Sequence, residues 1–399
     1  MGAALLRGSS HRSNQQPGKK MKRTWVMAAI AASYACHAQA QNTVTLYGVI
    51  DAGLSYTNNQ KGSSAWQAGS GDVTGSHWGM LAREDLGGGT KAVLQLENGF
   101  SVMNGTLRQG GRLFGYQAYT GLSNDRFGTL TLGRQYDSVV DYLAPLSFTG
   151  HRPGGNNLST HPYDNDNLNN SFRVNNSVKF ASNNYAGVKF GALYGFSNEA
   201  GGFDDNRLYS FGTSYDAGPL RLGAGYFQAN NGGSSNTNGA LTLTDRTFIA
   251  ARQRTYGAGG NYSIGAATFG VVWTRTQLGG LATLNGANSL GLVANGEGMS
   301  FSNYELNASY SLTPTIALNG EYTYTSGSMS NATGQHHPKW QEVSVQTDYF
   351  LSKRTDLYVQ ASYQHISSDG SGLTADISGQ SPSSNDQQVV VAVGMRHRF

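Results

Sequence analysis

Asn303-Tyr-Glu-Leu-Asn-Ala-Ser-Tyr-Ser-Leu312 puts Tyr304, Leu306, Ala308, Tyr310 and Leu312 on one face of an extended chain. Glu305, Asn307, Ser309 and Ser311 fall on the other. The next segments repeat the pattern. Ile316, Leu318, Gly320, Tyr322 and Tyr324 alternate with Asn319, Glu321, Thr323 and Thr325, and Val343, Val345, Thr347, Tyr349 and Leu351 alternate with Glu342, Ser344, Gln346 and Asp348. Leu357, Val359, Ala361 and Tyr363 then oppose Gln360, Ser362 and Gln364. In the last segment Val389, Val391, Val393, Met395 and Phe399 oppose Arg396 and Arg398.

Composition carries the same message to the whole chain. Of 399 residues 54 are glycine, about twice ordinary usage. Tyrosine (22) exceeds the other aromatics, and only 13% of residues are charged. Glycine and tyrosine are poor helix formers, which argues against a helical bundle. A hydrophobic share of 38% argues against a disordered chain. A mean hydropathy of −0.40 does not exclude a membrane protein, because a barrel strand shows lipid only every second residue. The net charge of +4 is a property of the N-terminus. Arg7, Arg12, Lys19, Lys20, Lys22 and Arg23 lie within the first 40 residues, and without them 22 basic residues face 24 acidic ones. No nucleic-acid partner is expected.

Met21-Lys22-Arg23, the apolar run from Trp25 and the close Ala38-Gln39-Ala40 follow the order of a secretory signal peptide. They predict cleavage between Ala40 and Gln41. The apolar run is too short to span a bilayer as a helix, which needs about 20 residues. Residues 1–20 fit no part of that order and read as an extension from an upstream start, with Met21 the initiator. Residues 21–40 are then the signal peptide and 41–399 one mature domain. Cys36 lies in the leader, so that domain holds no cysteine.

A soluble sandwich also alternates. Two features favour a membrane barrel. Tyrosines sit at strand ends on the apolar face (Tyr304, Tyr310, Tyr324, Tyr349, Tyr363), as an interfacial girdle requires. Short links such as 311–314, 352–355 and 217–219 also alternate with long polar ones at 57–74, 137–174, 230–253, 278–300 and 327–339. The expected strands are 43–57, 75–84, 90–102, 112–123, 128–136, 175–183, 187–198, 207–217, 219–230, 254–265, 267–277, 301–312, 315–326, 340–351, 355–367 and 387–399. This is an all-β fold, a 16-stranded antiparallel transmembrane β-barrel around an aqueous lumen. Its first strand pairs with its last, since lipid cannot satisfy an open edge.

Thr45-Leu-Tyr-Gly-Val-Ile-Asp-Ala-Gly53, Ala82-Arg-Glu-Asp-Leu-Gly-Gly-Gly89, Leu96-Glu-Asn-Gly-Phe100, Thr131-Leu-Gly-Arg-Gln-Tyr136, Leu351-Ser-Lys-Arg-Thr-Asp-Leu-Tyr358 and Gly394-Met-Arg-His-Arg-Phe399 occur in this order. As an ordered set they resemble the trimeric general porins of Gram-negative outer membranes, from about residue 43 to 399. The resemblance implies a homotrimer in outer-membrane lipid and lipopolysaccharide, passing small hydrophilic solutes and ions by passive diffusion. It implies a terminal Phe399 read by the outer-membrane assembly machinery. It also implies that the loop after the fifth strand, 137–174, folds into the lumen as a constriction. Asp137, Asp141, Asp164 and Asp166 would then be its acidic side, facing a basic wall. On that wall Arg134 fits, and Arg83 and Arg112 have inward parity. His77 and Tyr116 stand where relatives commonly carry arginine. A histidine of ordinary pKa, about 6.5, is largely neutral at pH 7, so a weaker anion preference than in such relatives, or a cation preference, is expected, with anion permeability rising on acidification.

No catalytic group, cofactor or metal is expected. Asp164-Asn-Asp-Asn-Leu168 begins like a calcium loop but has Leu168 in place of a ligand and lacks the turn glycine. His336-His337 lacks further ligands in sequence. A barrel phospholipase or protease is the rival enzyme, but no G-x-S-x-G elbow occurs. A substrate-specific channel is disfavoured because only Tyr142, Phe148, Tyr163 and Phe172 supply aromatics to the constriction loop.

Overall fold

The computed structural model describes residues 42–150, 155–230, 237–245, 247–284, 298–331 and 334–399. The leader, with Ala40 and Gln41, lies outside them. From Thr43 the alternating segments pair into one closed antiparallel sheet. Its strands are β1 (Thr43–Gln60), β2 (Ser63–Ser70 and His77–Gly87), β3 (Thr90–Gly99), β4 (Gln117–Asn124), β5 (Gly128–Gln135), β6 (Val174–Ala181), β7 (Val188–Gly195) and β8 (Leu208–Ala217). β9 (Leu220–Asn230), β10 (Phe248–Ile264), β11 (Ala267–Leu284), β12 (Met299–Thr313), β13 (Ile316–Asn331), β14 (Gly334–His336 and Lys339–Phe350), β15 (Thr355–Ser367) and β16 (Gln387–Arg398) complete it. β2 and β14 are each interrupted once, so the sheet's eighteen segments make sixteen barrel strands. β1 and β16 close the barrel in a register running from Val49 opposite Arg398 to Thr57 opposite Val390.

The two faces follow the sequence alternation. Tyr304, Leu306, Tyr310 and Leu312 are exposed on the outer face, while Asn303, Glu305 and Asn307 are buried inside. Val343, Val345 and Tyr349 face out and Glu342, Ser344, Gln346 and Asp348 face in. An apolar exterior over a polar interior is stable only with lipid outside. Phe127, Tyr185, Phe190, Tyr215, Tyr262, Phe269 and Tyr310 are exposed beside the short turns, as a girdle at one interface requires.

Several expected loops are shorter than the sequence suggests. Segment 57–74 is mostly a hairpin, turning at Lys61 (φ 55°) and Gly62 (φ 100°), the two positive angles of a tight turn. Segment 327–339 likewise holds the continuation of β13 and the start of β14. β10 begins at Phe248 and β11 runs to Leu284. Beyond the membrane both strand faces lose the lipid-against-water contrast, so their sequence stops alternating although pairing continues. In the other direction, 112–116 is not strand. β4 begins only at Gln117, which removes Arg112 and Tyr116 from the barrel ladder.

Candidate functional site

The lumen is crossed by the connection from β5 to β6, called L3 below. Asp137 starts it: its Oδ1 accepts from Val139 N (2.7 Å) and Val140 N (3.4 Å), capping the short helix α1 (Ser138–Tyr142). α1 lies against a glycine-paved stretch of inner wall. A Cβ at Gly212 would stand 2.5 Å from the Tyr142 ring, and one at Gly223 would stand 2.3 Å from Tyr142 O. Val139, Leu143 and Leu146 there join Leu193, Phe227 and Val272 of the wall and Phe172 of L3 in one apolar cluster.

The middle of L3 is bolted to β12. His161 lies between two carboxylates, with Nδ1 2.6 Å from Asp166 Oδ2 and Nε2 3.2 Å from Glu305 Oε2, all three buried. Burial by itself would lower the imidazole pKa. The two carboxylates outweigh it and hold the ring charged, its pKa raised well above the ordinary 6.5. Asp166, also accepting from Thr274 Oγ1 (2.5 Å) and Asn303 Nδ2 (3.1 Å), is held below the usual carboxylate range: His161 and these donors outweigh its burial. Glu305 Oε1 accepts from Phe148 N and Asn307 Nδ2, both at 2.6 Å, and Asn307 also donates to Leu146 O (3.0 Å).

The four aspartates expected on the loop are therefore occupied with the protein. Asp137 caps α1 and accepts from Asn167 Nδ2 (2.7 Å). Asp141 is paired with Lys179 of β6. Asp164 accepts from Asn169 N and Ser171 N, each at 2.9 Å. Burial pushes Asp137 and Asp164 up to about 6.

The expected wall residues separate into three groups. Arg134, on β5, makes a two-pronged pair with Asp245 (3.0 and 3.1 Å), a buried residue of the β9–β10 connection. Arg112 reaches the same carboxylate at 3.2 Å from the β3–β4 connection. Arg83 is exposed on β2. His77 and Tyr116 do meet: their rings lie 5.8 Å apart, and His77 Nδ1 is 2.7 Å from Gly75 O.

His77 and Tyr116 line a cavity of about 1100 Å³ between L3 and the β16–β1–β2–β3 wall. Among the described residues its charged side chains are Arg108, Arg173, Lys353, Arg396 and Arg398 against one acidic side chain, Glu97. Arg173 is clamped between the Tyr116 and Tyr136 rings, 4.1 and 5.0 Å from their centres, and Nη2 donates to Tyr136 Oη (3.1 Å). Arg396 and Arg398 pair with Asp356 (2.9 and 2.8 Å) behind them. Facing them, the break in β2 at 71–76 turns inward, held by Asp51, whose Oδ2 accepts from Val73 N (3.0 Å) and Thr74 N (2.7 Å). Gly71 begins that break at φ 89°, where a Cβ would strike Gly75. The inward parity of Arg396 and Arg398 was visible in the sequence. Arg173, His161, Glu305 and Asp245 carried no motif that marks them.

Phe399 completes the barrel. Its backbone exchanges two hydrogen bonds with Gly48 (3.2 and 3.0 Å), and its ring covers the space a Cβ at Gly48 would take.

A closed sixteen-strand membrane barrel, crossed by an inward loop and holding a polar cavity large enough for small solutes, defines an outer-membrane channel. A family model for Gram-negative porins matches residues 26–371, so the chain belongs to that family and resides in the outer membrane. An outer membrane porin protein of Bordetella pertussis is 30% identical over 95% of this chain and 100% of its own length. Outer membrane porin protein 32 of Delftia acidovorans is 31% identical over 56% of this chain and 65% of its own. Among solved structures, the anion-selective porin from Comamonas acidovorans aligns with a TM-score of 0.70 at 23% identity, covering 90% of this chain and 100% of that one. The trimer form of OmpT of Vibrio cholerae aligns at 0.62 and 17% identity, over 90% and 99%.

Proposed function

We propose that this porin is a homotrimer of general diffusion pores, without enzymatic activity, and that each pore passes small hydrophilic solutes with a preference for anions. The observation that carries the reading is the cavity lining, where Arg108, Lys353 and Arg398 keep some exposure while Glu97 is buried and Arg173 and Arg396 stand buried behind them. The aspartates of L3 are consumed by caps, ion pairs and backbone donors. Charge facing water in a narrow passage governs which ion enters, and charge sealed behind protein counts for less in that choice. Asp348 and Asp356 behind Arg396 moderate the preference. The likeness to an anion-selective porin and to a trimer supports both parts of the reading, as do Val44 and Leu46, exposed on the outer face of β1 where barrels could pack.

In this reading Arg83, Arg112 and Arg134 act as wall and loop-positioning charges. Asp137, Asp164 and Asp166 shape the constriction from buried positions, and the partly exposed Asp141 is countered by Lys179. Phe399 serves the assembly machinery, and the outer girdle contacts lipid and lipopolysaccharide. Planar-bilayer recording tests it. Stepwise openings in threes, with a reversal potential of anion sign across a salt gradient, are expected. Cation sign would remove the charge assignment, and absence of conductance from folded protein would remove the pore.

A further inference from the structure

The β15–β16 connection, 368–386, has the length and polarity of an external loop, yet its centre is built as an inner part. Leu373, Ala375 and Ile377 alternate with Thr374, Asp376 and Ser378, and all three apolar residues are buried. Ile377 packs with Leu158 of L3 against Val390 and Ala392 of the inner wall. Leu373 and Ala375 join a second cluster at the extracellular end of β10–β15, which also holds Tyr163 of L3 packed edge-on to Phe301 and Trp340. Valine and alanine on the wall of a water-filled lumen are out of place unless something covers them, and the cover here is Ile377 with Leu158.

The backbone is seated as deliberately. Gln364 of β15 accepts from Asp376 N and Gln388 of β16 accepts from Ile377 N, both at 2.7 Å, while Gln388 Nε2 donates to Ser381 O (2.8 Å). Lys61 N, at the tip of the β1–β2 hairpin, donates to Pro382 O (2.8 Å). These contacts hold residues 376–382 to β15, β16 and the β1–β2 hairpin.

We propose that residues 371–377 are a second narrowing element of this pore: by pinning the tip of L3 through Ile377 and Leu158, they confine the open path to one side of the lumen and set the solute size limit. The inference rests on the diffusion-pore reading above. It assigns the size limit to two loops that hold each other rather than to L3 alone.

Ile377→Asp in the full-length protein tests it, read by single-channel conductance and the cut-off for neutral polymers of graded size. In folded, detergent-resistant trimers conductance should rise by about half or more, and larger polymers should enter. Leu158→Asp should do the same. The double variant should add little to either single one, because both break one contact. Unchanged or lower conductance with an unchanged cut-off in folded trimers would overturn the proposal. If Ile377→Asp does not assemble, Ile377→Ala decides by the same two readouts. Failure of the unmodified protein to conduct would strike the pore reading instead, so the two failures are distinguishable.

Discussion

The two sides of the lumen are built on opposite principles. Along β10–β15 the inner wall is covered: aromatic residues at the extracellular end, then Asn303, Glu305 and Asn307 below, all engaged with L3. Between L3 and parts of β16, β1, β2 and β3 a cavity is left to water, lined by arginine, lysine, tyrosine and glutamine, although Val390 and Ala392 of β16 are covered. One chain thus makes a protein core and an aqueous passage inside the same barrel. The difference lies in where the inward-folded loops come to rest, and four changes would break or sharpen it.

Glu305→Ala should have the largest effect. It removes the acceptor for Phe148 N and Asn307 and leaves charged His161 with one carboxylate. Breaking such a buried network costs about 3–5 kcal/mol. Thermal unfolding in detergent should show the loss, and a stability equal to the parent would mean that apolar packing alone holds the covered side.

Asp245→Asn acts on the other side. It strips the partner from Arg134 and Arg112 and should cost about 1–3 kcal/mol. Anion permeability should rise as two guanidinium groups lose their countercharge; a shift of reversal potential toward cations would contradict the arrangement.

Acidity should tighten the covered side. Asp137 and Asp164, raised to about 6, and Asp376, raised by burial to about 7, bind protons more readily folded than unfolded. Stability from these groups is therefore greatest at low pH and is lost as pH rises from about 4 through 6 and 7. His161, with its pKa raised, contributes below about 6.5 and loses that contribution only as pH climbs through its raised value. Asp166, lowered, opposes the trend only below the ordinary carboxylate range. The unfolding temperature should accordingly rise by a few degrees between pH 8 and pH 5, and amide exchange across 155–173 should slow. A fall over that interval would refute the sign.

Lys353→Glu should be smallest in stability and confined to the open side. The residue is exposed on a short turn and lines the cavity, so stability should move by no more than about 0.5 kcal/mol. Reversal potential should shift toward cations, and an unmoved potential would show that the mouth charge does not reach the permeating ion.

Much of the barrel was legible because lipid imposes a period of two. Tyr304 to Leu312 could be assigned outward from sequence, as could Arg396 and Arg398 inward. The inner loops obey no such period. Asp137, Asp141, Asp164 and Asp166 read alike as loop acids, yet one caps a helix, one pairs with Lys179, one accepts backbone donors and one holds a histidine. Arg112 had inward parity only if 112–116 were strand. The segment 371–377 alternates like a strand but pairs with no sheet.

The sequence by itself determined the class of the molecule: an exported chain of alternating segments whose outward apolar faces require a bilayer and whose number closes a wide barrel. Local periodicity suffices there, because each strand meets lipid on its own account. Only the tertiary structure decided which charges face water. That depends on partners far apart in the chain, Arg134 with Asp245, His161 with Glu305 and Ile377 with Leu158, and a contact across the lumen leaves no periodic mark on either segment that makes it.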